Sequence, residues 1–284
     1  MGTLRRSFTL VRTSWAVLRQ DKELIILPVL SVIAAGFLVL PFFIGAIAIG
    51  ATSDSDSLGP VGWVLMFIGY VVGAYVTIFF QTALVLGAND RLTGGNPSLG
   101  SALSMAASNA GRILPWAIIS ATVSVVLQAI QERAGAIGRI VVGLVGLAWT
   151  LVTMLVLPIL VIEQVGVKDA LSRSATAFKR TWGENVVGNG GIGIVGFLGT
   201  LLGLVVAGPI VALGVSRSAT GLVVVGVVLF VLWVLLVSAF TSALSAVFRT
   251  ALYRFAVLGE EPSGFTHDQI AGAFRPKSKS ASAA

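Results

Sequence analysis

Long apolar runs, interrupted by short polar segments, set the pattern of this chain. Uncharged stretches extend from about Leu24 to Gly50, Val61 to Leu86, Ile113 to Ile130, Ile140 to Ile162, Val186 to Leu213 and Gly221 to Phe240. Each is close to or above the roughly 20 residues a helix needs to cross about 30 Å of hydrocarbon. In the sixth run the helical pattern continues through TSALSAVFRTALYRFAVLG to about Gly259. At about 1.5 Å per residue such a helix outreaches the bilayer, and Arg249 and Arg254 fall in or beyond the headgroups. The pattern predicts an all-α, polytopic membrane protein with six transmembrane helices. Residues 1–265 form a single integral membrane domain, and the tail 266–284, ending RPKSKSASAA, reads as disordered because it has no apolar period. Asp21 stands as N-cap of the first span, with Glu23 in its first turn where an acid suits the helix dipole.

A different periodicity occupies the segments before the odd-numbered spans. Leu4, Phe8, Val11, Trp15 and Leu18 recur at helical spacing, and Arg5, Arg12 and Arg19 share a neighbouring face. Val167 to Trp182 repeats the pattern, with Val167, Leu171, Phe178 and Trp182 on the apolar side and Lys168, Arg173, Lys179 and Arg180 toward headgroups or water. Leu99 to Arg112 is a weaker version. These are expected to be amphipathic helices lying in the cytoplasmic interface before spans one, three and five. ILPVLS at Ile26 resembles ILPWAIIS at Ile113, and GGNPSLG after span two resembles GEEPSGF after span six. The recurrence predicts three repeated units, each an interfacial helix followed by a transmembrane hairpin.

Composition narrows the class. The chain is 56% hydrophobic and 11% charged, against about 25% charged residues in ordinary soluble domains. With six spans, sixteen of the nineteen cations fall on one side, and Arg133, Arg139 and Arg217 fall opposite. The positive-inside rule then puts both termini in the cytoplasm, with the chain in a bacterial inner membrane. The first apolar run starts late and passes twenty residues without a small-residue cleavage site, which argues against a cleaved signal peptide.

Candidate chemistry is sparse. Gly191, Gly193 and Gly196 hold a G-x-G-x-x-G spacing, but a charged interfacial segment precedes it, and no Asp or Glu lies between Glu184 and Glu260 to meet a ribose. Close helix contact explains the glycines better: Gly188, Gly199 and Gly203 in span five, and Gly69 and Gly73 in span two, are expected at small-residue interfaces. There is no cysteine, and the one histidine, His267, lies in the tail. Asp54 with Asp56, and Glu260 with Glu261, read as solvated pairs. Gln81, Gln128, Thr153 and the Ser238, Thr241, Ser242 group read as interhelical hydrogen-bonding residues. No acid or base sits at mid-depth in a span, where proton-coupled pumps usually need one. No catalytic centre, metal, cofactor or nucleic-acid partner is expected.

The stretch TWGENVVGN is the most unusual. Trp182, Glu184, Asn185 and Asn189 stand beside Arg173, Lys179 and Arg180 at the mouth of the fifth span. They suit either a capped helix start with an aromatic anchor, or a polar site for an anionic headgroup or small ligand.

SWAVLRQDKELIILPVLS, LVIEQVGVKDALSRSATAFKRTWGENVVGN and the six-span layout resemble an uncharacterised family of prokaryotic integral membrane proteins, a domain of unknown function. The family is broadly similar to the membrane domain of bacterial glycerophosphodiester phosphodiesterases. The resemblance implies fold and location but no activity, since the metal ligands of the phosphodiesterase barrel have no counterparts here. The expected function is that of a non-enzymatic module organising membrane lipids, anionic ones among them, or partner proteins, including further copies of itself. The alternative is a transporter or permease-like protein for a small or lipidic substrate.

Overall fold

The computed structural model describes residues 12, 14–16, 18–51, 58–182 and 190–260, and all regular structure among them is helical. A 3-10 turn, Lys22–Ile25, leads into α1 (Ile26–Ala51), which is followed by α2 (Gly59–Leu92), α3 (Leu99–Ser108) and α4 (Ala110–Arg133). Next come α5 (Ala136–Val152), α6 (Val156–Ile162), α7 (Val167–Trp182), α8 (Gly190–Ser216) and α9 (Thr220–Tyr253), the last running into a π turn, Arg254–Leu258. Six stretches among the described residues are long and apolar enough to cross a membrane: α1 with its leading turn, α2, α4, α5 with α6, α8, and α9. The short helices α3 and α7 each stand directly before a hairpin, α4–α5 and α8–α9.

The chain forms two compact units. One comprises Met1–Ile25, Ala88–Asn96 and Ala177–Ala284, and the other Ile26–Gly87 and Pro97–Thr176. In the first, α8 and α9 pack antiparallel along a seam where small residues meet large ones. Gly196 faces Thr241, Gly199 faces Val237, Gly203 faces Trp233, and in the other direction Gly226 on α9 faces Val211 on α8. The Trp233 indole N–H donates to the Gly199 carbonyl at 2.7 Å, so its one polar group is satisfied within an apolar seam. In the second unit α1 and α2 use the same device: Gly69 faces Phe42, and Gly73 faces Val39. Trp116 of α4 stacks on Trp149 of α5 with centroids 6.1 Å apart.

Apolar side chains along the spans are largely turned outward, as Phe37 and Ile137 at 80% exposure and Val215 at 66% show. Such surfaces are stable in hydrocarbon and not in water. The two longest helices behave differently at their ends. α2 and α9 have 34 residues each, about 51 Å at 1.5 Å per residue, well beyond about 30 Å of hydrocarbon. Their last turns, Ala83 to Leu86 with Ala88 and Leu92, and Ala243, Leu244, Val247, Leu252 and Tyr253, are buried. Most of the overhang is therefore covered by protein, while Ser242, Ser245 and Arg249 on α9 stay partly exposed.

Three elements depart from the sequence expectation. The apolar run Ile140–Ile162 is two helices, interrupted at Thr153, Met154 and Leu155. α5 has no buried residue, whereas six of the seven residues of α6 are buried. α3 stops at Ser108 instead of continuing to Arg112, because Asn109 turns back on it, donating from Nδ2 to the Met105 carbonyl at 2.9 Å. Its start is a capping box, in which Ser98 and Ser101 exchange side-chain and backbone hydrogen bonds at 2.9 and 3.1 Å. Asp21 does not cap the first span with its carboxylate, which is bound to Arg91 instead.

Candidate functional site

α7 follows a turn in which Gln164 adopts a left-handed backbone. Its buried stripe is Ala170, Ser174 and Ala177; Val167, Leu171 and Phe178 are half-buried, and Lys168, Arg173 and Lys179 are exposed. The innermost face is thus the line of small residues, not the line of large apolar ones expected from the sequence. Small side chains let a helix backbone approach its neighbours, which bulkier ones prevent.

Ser174 explains how α7 is seated. The interruption between α5 and α6 sends the Val156 amide to the Thr153 carbonyl, which frees the Val152 carbonyl. The Ser174 hydroxyl donates to that carbonyl at 2.5 Å and accepts from the Leu155 amide at 3.3 Å. A side chain from a neighbouring helix thereby re-satisfies a broken span, as irregular backbone in a membrane protein requires. Arg173 forms an ion pair with Glu163, at the end of α6, and Arg112 of α4 donates to the Gln164 carbonyl. The charge of Arg173 is therefore already met by a carboxylate.

Of the other predicted site residues, Lys179 is exposed on α7. Arg180 and Trp182 have their backbones on α7, but their side chains, and all of Glu184, Asn185, Gly188 and Asn189, lie outside the described residues. His267, the tail 266–284, and Asp54 with Asp56 lie outside them too. A methyl group placed on Gly69 would come 2.9 Å from Phe42 Cβ, and one on Gly73 3.2 Å from Val39 Cγ2. On Gly199 it would come 3.0 Å from Val237 Cγ1, and on Gly203 2.7 Å from Trp233 Nε1, closer still to Cδ1.

A second polar cluster escaped the sequence reading. At the end of α2, Arg91 binds the Asp21 carboxylate through two guanidinium nitrogens and donates to Asn96 Oδ1 at 2.7 Å. Two residues earlier, Asn89 Oδ1 accepts from Arg254 Nη1 at 2.8 Å. Arg254 also pairs with Glu260, and its buried Nε has no hydrogen-bond partner among the described residues. Glu260 is thus not a merely solvated carboxylate. Chemically these groups neutralise one another, so the network ties the N-terminal segment and the end of α9 to the end of α2. Span parity was the one available signal, since it puts Asp21, Arg91 and Arg254 on the same side of the membrane.

Outward-facing apolar spans, with polar groups gathered at helix ends, define a multi-pass helical membrane protein. The chain belongs to the family of unknown function DUF6159, which it matches over residues 60–265. The match begins in α2, so α1 and the segment before it lie outside the matched range. No curated protein and no solved structure matches the chain. The similarity to membrane domains of glycerophosphodiester phosphodiesterases is not among these findings.

Proposed function

We propose that the protein is a non-enzymatic membrane module that gathers anionic phospholipid at the cytoplasmic face of the bacterial inner membrane, with α7 as its amphipathic contact helix. The observation that supports this reading is the seating of α7. The 17 residues of α5 are about 26 Å long, close to the thickness of the hydrocarbon. Ser174 binds where α5 ends, and this supports a headgroup depth for the exposed Lys168 and Lys179. Each such cation contributes about 1 kcal/mol of attraction to an anionic leaflet, and salt weakens it. Arg173 adds less, because Glu163 already neutralises it. The sixteen-to-three cation bias supports the cytoplasmic orientation.

Native mass spectrometry with lipids retained tests the reading. The double change Lys179→Gln, Arg180→Gln should lower retained phosphatidylglycerol or cardiolipin, Arg173→Gln should lower it less, and the triple change at Arg133, Arg139 and Arg217 should leave it unaltered. Equal loss from the two faces would end the proposal. For orientation, cysteines placed at Gln131 and Ser216 should react with an impermeant thiol reagent in intact cells, and cysteines at Ser98 and Ser172 should not; the reverse pattern overturns it.

The interrupted fourth span favours one second reading, a transporter, since discontinuous helices line substrate sites in many transport proteins. A solute that slows amide exchange at Thr153 to Leu155 would support it.

A further inference from the structure

Arg249 is half-buried on α9 and, among the described residues, makes no hydrogen bond or ion pair; the three ion pairs there use Arg91, Arg173 and Arg254. A partly desolvated guanidinium whose donors are unmet among the described residues is costly unless an anion meets it. Among the described residues no Asp or Glu pairs with Arg249, and Glu260 is occupied by Arg254.

The helix face below Arg249 is also polar. Ser238, Ser242, Ser245 and Arg249 follow one another at intervals of four, three and four, which is a single face of a helix. Elsewhere in the spans, Thr82, Thr122, Ser124, Thr200, Thr241 and Thr250 return their hydroxyls to the carbonyl four residues back. The hydroxyls of Ser238, Ser242 and Ser245 make no such bond among the described residues. The depth of the stripe suits a lipid headgroup. Counted from Thr220 at about 1.5 Å per residue, Ser238 lies roughly 27 Å along the helix, Ser242 roughly 33 Å, Ser245 roughly 38 Å and Arg249 roughly 44 Å. Against about 30 Å of hydrocarbon, the stripe begins at the edge of the acyl region, crosses the ester and glycerol level and ends among the phosphates.

We infer that this face of α9 binds one anionic phospholipid, its phosphate on the Arg249 guanidinium and its glycerol or ester oxygens on the hydroxyls of Ser245 and Ser242. Guanidinium suits phosphate because it presents paired donors to paired oxygens. The site is on a different helix from α7 and does not depend on the cations there.

The test uses the full chain, purified with and without phosphatidylglycerol, and reads lipid stoichiometry by native mass spectrometry together with thermal unfolding. The unaltered protein should hold one phosphatidylglycerol through washes that remove phosphatidylcholine. Arg249→Gln should lose that lipid, with binding about tenfold weaker, as loss of one charged hydrogen-bonding group implies. Ser242→Ala with Ser245→Ala should weaken it less, Arg249→Lys should keep the preference for the anionic lipid, and Arg139→Gln should change nothing. Should Arg249→Gln fail to fold, the serine pair and Arg249→Lys decide the matter. Undiminished retention by the Arg249→Gln and serine variants overturns the inference, as does equal protection of the unaltered protein by inorganic phosphate, which would make the site one for a soluble anion. Loss of this tightly held lipid while the salt-sensitive, Lys179-dependent lipids remain separates this site from the α7 reading; the converse result sinks this inference alone.

Discussion

Replacing Ser174 by Ala should loosen the junction of α5, α6 and α7. In the folded protein the Ser174 hydroxyl is the partner of two backbone groups, the Val152 carbonyl and the Leu155 amide, and the residue is 1% exposed. Alanine leaves both groups without a partner and without access to water. A net hydrogen bond is worth about 1 kcal/mol, and each buried group left unpaired costs about 1–3 kcal/mol. Hydrogen bonds between membrane helices average nearer 0.6 kcal/mol, because the unfolded chain in the membrane also finds partners. The two effects together predict a loss of about 2 kcal/mol, or roughly 4–8 °C in the unfolding midpoint. Thermal unfolding in one detergent, with Ser172→Ala as the exposed control on the same helix, measures it. Hydrogen exchange at Thr153 to Val156 should accelerate in parallel. A midpoint and exchange pattern matching the control would show that the interruption in the fourth span is sustained without this hydroxyl, and that Ser174 does not seat α7.

Gly203→Ala should destabilise the α8–α9 hairpin by about 1–3 kcal/mol, the usual cost of overpacking, whereas Gly208→Ala, with nothing within 4 Å, should not; equal midpoints would show that the seam is not close-packed. Asp21→Asn should cost about 1–2 kcal/mol, since it takes the counter-charge from a partly exposed arginine held by a buried carboxylate, and adding Arg91→Gln should restore part of the loss. No recovery in the double variant would mean that the pair is not the energetic unit.

Several features were legible because they depend on local composition. The six spans, the overlong sixth helix and its end near Gly259, whose left-handed backbone suits glycine, follow from runs of apolar residues and one helix stop. The glycine positions Gly69, Gly73, Gly199 and Gly203 also stood out, although their spacing could not name the partners. The structure supplies these as Phe42, Val39, Val237 and Trp233, large residues where the spacing suggested a second small one. The asymmetry has a simple cause: a large side chain fills the notch that a missing Cβ leaves, at the ordinary separation of two helices.

The pairings of Asp21 with Arg91 and of Asn89 with Arg254 join residues 70 and 165 positions apart, and nothing in either neighbourhood announces the other. Hydropathy determined that the run from Ile140 to Ile162 leaves water, because transfer from water to an apolar medium depends on each residue nearly independently of the rest. It could not decide that α5 stays outside the protein core while α6 enters it. Lipid and protein interior are alike apolar, and only the tertiary structure, through close packing and the hydroxyl of Ser174, distinguishes one from the other.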